Sequence, residues 1–114
     1  MNPKMMAFLA MMLAGCSAYR YTPTTPHRSA PKPADCTFEL LTTRPDRPFD
    51  EMGVLEVEVS GVEAGSAGDF IRLVREQTCQ AGADAVLAEV NGRGNYVRGT
   101  LLKYRADAPS RSAP

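Results

Sequence analysis

Three cysteines, one histidine and a short run of acids are the side chains of this chain most suited to chemistry. A cysteine can accept an acyl or alkyl group as a nucleophile, close a disulfide, or ligate a metal as thiolate. The cysteines stand at positions 16, 36 and 79. Cys16 lies in an N-terminal segment of its own character, which leaves Cys36 and Cys79 as an even pair. A disulfide between them is the expected state in an oxidising compartment. A thiol-dependent metal-binding pair is the alternative, although His27 is the sole imidazole and lies apart from both. Closing a loop of about 40 residues would contribute roughly 3–4 kcal/mol by the chain-entropy argument. That matters in a domain too small to bury a large core.

Asp46, Asp50 and Glu51 form an acidic cluster that reads either as a cation or partner site, or as a solvated loop balanced by Arg44 and Arg47. The run Asn91-Gly92-Arg93-Gly94-Asn95 has the glycines of a phosphate loop but neither its lysine nor a following helix. It reads as a hairpin turn. Arg93 and Arg98 beside it make a candidate basic patch. Asp46, Asp50, Glu51, Arg93 and Arg98 are therefore the candidate partner-binding residues. An enzyme needs an activated nucleophile or a poised acid–base pair. No such set stands out, so the expectation is a non-catalytic protein with no catalytic residue, no metal site and no cofactor. Thirteen basic and thirteen acidic residues balance, and nothing in that balance implies a nucleic-acid partner.

The N-terminal segment has one early charge, Lys4, then an apolar run over residues 5–13, then Leu13-Ala14-Gly15-Cys16. Charged start, short apolar run and small residues at a cleavage point are the marks of a secretory signal. The run is shorter than the roughly 18 residues that a spanning helix needs. It resembles the signal of bacterial lipoproteins, in which the cysteine is lipidated and becomes the first mature residue. The resemblance implies a lipid anchor at Cys16, a location at the outer membrane facing the periplasm, and an envelope protein partner of unknown identity. Ser17, in place of Asp, points to outer rather than inner membrane.

Four regions follow. Residues 1–15 are the signal. Residues 16–35 are rich in Pro, Thr and Ser and read as a disordered, lipidated tether, with Tyr19 and Tyr21 solvated or at the membrane interface. Residues 36–105 are the domain, and residues 106–114 a disordered tail. In the domain, residues 37–43 are β-prone and residues 44–50 form a loop. Residues 53–60 alternate, with Leu55, Val57 and Val59 inward and Glu56 and Glu58 outward. A helix starts at Ser66 or Asp69, carries Phe70, Ile71, Val74, Thr78 and Ala81 on one face, and stops at Gly82. Arg72 and Glu76 are spaced to pair on it. Residues 85–90 and 96–104 are the last two strands. The expected class is α+β: a small β-β-α-β-β domain with one helix on a mostly antiparallel sheet. Cys79 falls off the apolar helix face, so a bond to Cys36 requires the approach to the first strand to pass the helix flank.

The runs Pro48-Phe49-Asp50-Glu51-Met52-Gly53-Val54, Gly82-Ala83-Asp84-Ala85-Val86-Leu87 and Gly99-Thr100-Leu101 together resemble a family of small bacterial domains. That family holds the Rcs stress-sensor lipoprotein and the YbjQ-like proteins. The resemblance covers about half of the chain and implies the β-β-α-β-β fold and a sensing or interaction role in the periplasm. The Rcs sensor carries cysteines on its last two strands and their connection. This chain has none there, so the Cys36–Cys79 pair rests on the count of cysteines. A structural accessory of an envelope complex is a further reading.

Overall fold

Ser66 starts the helix by accepting the Asp69 N–H on its hydroxyl, and Gly82 ends it in the left-handed region at φ 77°. The helix, α1 (Ala67–Ala81), lies against a five-stranded sheet. The computed structural model describes residues 18–58 and 61–106. The signal, Cys16, Val59 and the tail from 107 onward lie outside the described residues.

The strands are β1 (Tyr19–Pro23), β2 (Glu39–Leu41), β3 (Phe49–Val57), β4 (Ala85–Val90) and β5 (Tyr96–Tyr104). Their order across the sheet is β1-β3-β5-β4-β2. Three of the pairings are antiparallel, and β2 runs parallel to β4. This is the α+β class expected from the periodicity, with one strand more. Residues 42–48 carry the chain past the ends of β4 and β5 to reach β3.

The additional strand corrects the reading of residues 16–35 as a tether. Tyr19–Pro23 pairs along its whole length with β3, from Tyr19 opposite Val57 to Pro23 opposite Gly53. Tyr19 is fully buried rather than solvated. Residues beyond β1 are tied down too. The Thr25 hydroxyl donates to the Glu51 carbonyl at 2.6 Å, and the Lys32 N–H donates to the Cys79 carbonyl at 2.8 Å. Pro23 suits the end of an edge strand, where a missing N–H costs no ladder bond. The first loop is also shorter than expected, because Phe49 and Asp50 already belong to β3.

The core lies between α1 and one sheet face. Phe70 sits at its centre, edge-on to Tyr19 with ring centroids 5.1 Å apart and stacked on Tyr96 at 5.0 Å. Leu55, Val74, Val86 and Leu101 complete it. Such side chains each contribute roughly 1.5–3 kcal/mol when fully buried. Val57 is half-buried at the margin, and a register shift before Gly53 turns Met52 into the core as well. Gly99 is required beneath the Phe70 ring: a Cβ there would sit 2.7 Å from Val86 Cγ1 and 3.1 Å from Phe70 Cζ. On the outer side of α1, Arg72 pairs with Asp69 at 3.2 Å rather than with Glu76.

Candidate functional site

The two ends of the sheet carry the candidate residues, and they carry different ones. At one end stand residues 42–48, the start of β3 and the end of β5. At the other stand the start of β1, the end of β3, residues 61–66, the end of β4 and the 91–95 turn.

The first end takes the three acids apart. Asp50 and Glu51 are adjacent on a strand, so their side chains leave opposite faces. Asp50 lies opposite Lys103 and Glu51 opposite Leu102. Asp50 Oδ1 accepts from Arg105 Nη2 at 2.9 Å and Nε at 3.1 Å, with His27 Nε2 at 3.8 Å. The Arg105 hydrogen bonds hold the Asp50 carboxyl below the usual aspartate range, aided by the charges of Arg105 and His27. Asp46 and Glu51 are exposed. The arginines expected to balance the cluster lie on aromatic rings instead: Arg44 over Phe49 at 5.1 Å and Arg47 over Tyr104 at 3.9 Å. Guanidinium groups favour the faces of such rings. The Tyr104 hydroxyl donates to Glu39 Oε1 at 2.6 Å, and burial together with that carboxylate pushes its pKa up to about 12.

The second end separates the two arginines in a similar way. Arg93 is exposed in the turn, whose Asn91 Oδ1 accepts the N–H groups of Arg93 and Asn95, both at 3.0 Å. Arg98 lies within β5, directly between Glu56 of β3 and Glu89 of β4. Arg20 of β1 lies beyond Glu56. The sheet face away from α1 thus carries a row of alternating charge, Arg20-Glu56-Arg98-Glu89, in which opposite signs stand side by side. Arg98 belongs to that row rather than to a basic patch. A shallow groove of about 330 Å³ opens beside it, lined by Arg20, Thr22, Glu56, Val57 and Glu58. A second groove, of about 270 Å³, lies between β1 and α1 and is lined by Tyr21, Gln77, Gln80 and Ala81.

Cys36 and Cys79 are joined, with their Cα atoms 5.8 Å apart. Cys79 is fully buried although it leaves the helix off its apolar stripe. The approach to β2 passes that flank and covers it, as the pairing required. Among the described residues, no group of three or more His, Cys, Asp or Glu side chains is placed to hold a metal ion. No helix among them is long and apolar enough to cross a membrane.

Sequence reasoning missed the cluster around Asp84. Its Oδ1 lies 2.8 Å from Lys32 Nζ and 3.4 Å from Lys103 Nζ, and its Oδ2 accepts the Tyr104 N–H at 2.9 Å. Burial pushes the carboxyl up, but the Lys32 hydrogen bond, the Tyr104 N–H and the two lysine charges outweigh it and hold the pKa below normal. The lysines also cap the helix exit, Lys32 on the Ala83 carbonyl and Lys103 on the Gly82 carbonyl. Asp84 belongs to one of the runs that carry the family resemblance, and so do the Gly82 helix stop and the close-packed Gly99. In the structure these three residues end the helix, admit the Phe70 ring and tie the helix exit to β5. Comparisons of this chain with protein-family models, curated proteins and solved structures found no match.

Proposed function

We propose that this chain is a lipid-anchored, non-catalytic envelope protein whose small domain serves as an interaction or stress-sensing module. The observation that carries the reading is Leu13-Ala14-Gly15-Cys16 behind a short apolar run. The thiol of Cys16 takes a diacylglyceryl group from a phospholipid, forming a thioether as the C–O bond to the phosphorylated headgroup breaks and that headgroup leaves with the thiol proton. The amine freed by cleavage can take a further acyl chain such as palmitate from a second phospholipid. Each buried methylene contributes about 0.8 kcal/mol, so two or three chains anchor the protein durably. The Cys36–Cys79 bond supports the same address, because disulfides persist in the periplasm and are rare in the cytosol. The bond also occupies both thiols on which the metal-binding alternative depends. The resemblance to the Rcs sensor family supports a sensing or interaction role over a purely structural one.

Metabolic labelling with a palmitate analogue tests the reading. Wild type should take up label and fractionate with the outer membrane. The Cys16→Ala variant should lose both properties while its domain stays folded. A Cys16→Ala protein that still carries label and stays with the membrane overturns the anchor.

A further inference from the structure

The structure shortens the distance between the proposed anchor and the fold. Cys16 is followed by Ser17, and at Ala18 the chain is already bonded to the sheet. The Ala18 carbonyl accepts the Glu58 N–H at 3.0 Å, and β1 starts at Tyr19. Three residue steps separate Cys16 from Tyr19, and a fully extended chain covers about 10 Å in three steps. A tether over residues 16–35 would instead reach roughly 65 Å.

The part of the domain brought near the anchor is a definite one. The Tyr19 hydroxyl donates to the Tyr96 carbonyl and accepts the Ala64 N–H at 2.9 Å. Ala64 forms a bridge with Tyr96, and Tyr96 pairs with Val90. The start of β1 is therefore bonded into the sheet end formed by residues 61–66, the end of β4 and the 91–95 turn. Val62 and Val90, the large apolar side chains left most exposed among the described residues, both lie at this end, 44% and 42% exposed. Glu58, Glu63 and Arg93 accompany them, so net charge does not draw this end toward an anionic surface. The nine residues of β5 lead to the opposite end, about 30 Å away at the rise of a strand.

We infer that the Tyr19 end of the sheet rests on the phospholipid surface that holds the Cys16 lipid. Val62 and Val90 are set at the headgroup boundary, and residues 42–48 point away from the membrane. The inference rests on lipidation at Cys16. It assigns the two ends different roles: the 61–66 segment and the 91–95 turn face lipid, and Asp46 with its neighbours faces a partner in the periplasm.

The test uses the full lipidated protein with Cys36 and Cys79 oxidised. Val62→Cys, Val90→Cys and Asp46→Cys variants are each labelled with a small fluorophore. Each is reconstituted into phosphatidylethanolamine–phosphatidylglycerol vesicles carrying a nitroxide on the lipid headgroup. Labels at positions 62 and 90 should be quenched several-fold more than the label at 46. Equal quenching at all three overturns the orientation, and it is the result expected if a protein partner rather than lipid covers Val62 and Val90. Palmitate incorporation in the same preparations separates the two claims. Without it, the anchor and the orientation both fail. With it, equal quenching removes the orientation alone.

Discussion

Replacing Tyr19 asks whether the segment behind Cys16 is part of the fold. The side chain is fully buried, packs edge-on against Phe70, and bonds to the Tyr96 carbonyl and the Ala64 N–H. Tyr19→Phe keeps the ring and leaves those two backbone groups without their partner, at a cost of about 1–3 kcal/mol. Tyr19→Ala also empties the ring site, which by itself costs about 3–5 kcal/mol in a packed core. The two effects together bring the Ala variant to about 4–8 kcal/mol. Domains of this size have roughly 5–15 kcal/mol in total, so Tyr19→Ala should be close to unfolded. Urea denaturation followed by circular dichroism, in a Cys16→Ala background to remove the lipid, measures both. The order should be wild type, then Tyr19→Phe, then Tyr19→Ala. If Tyr19→Ala unfolds within about 0.5 kcal/mol of wild type, as exposed substitutions do, β1 is not part of the sheet and the short link to the membrane falls with it.

Three further outcomes are expected. The disulfide closes a separation of 43 residues, which corresponds to about 4 kcal/mol; a Cys36→Ala, Cys79→Ala double variant should melt well below wild type, and wild type with reductant should match it, whereas unchanged melting in both would refute the estimate. Thr78 is fully buried with its hydroxyl unbonded, so Thr78→Val should raise stability by about 1 kcal/mol in urea unfolding, and a loss would show that the hydroxyl has a partner in solution. The Asp50 and Asp84 pKa values are both depressed in the fold, so their stabilisation is present above the ordinary aspartate value and is lost as pH falls through the lower folded values; unfolding midpoints should therefore drop below about pH 4, and Asp84→Asn should flatten that drop.

Much of the fold was legible because its signals are local. Ser66 three residues before Asp69, the spacing of Phe70, Val74 and Thr78, and Gly82 at the exit describe the helix without tertiary information. Alternation marks most of β3, the apolar run over residues 85–90 marks β4, and the turn residues at 91–95 set β5 apart from it. β1 was lost to composition: Pro23, Pro26, Pro31 and Pro33 with their threonines outweighed two alternating tyrosines. An edge strand of five residues has too little pattern of its own, and only the partner strand reveals it. The same limit applies to the candidate site. Asp46, Asp50 and Glu51 are neighbours in sequence, but strand alternation and the Arg105 bonds separate them. Arg98 reads as a basic residue near Arg93 until the register places it between Glu56 and Glu89. Asp84 passed unnoticed because its lysines come from positions 32 and 103.

The central claim is that Cys16 carries the membrane anchor immediately ahead of the sheet. Intact-mass and peptide mass spectrometry of the mature protein from outer-membrane fractions tests it most directly. The N-terminal peptide should begin at Cys16 and carry the mass of a diacylglyceryl group, with further acylation on the amine. A mature chain that begins elsewhere, or a Cys16 peptide with an unmodified thiol, would contradict the account.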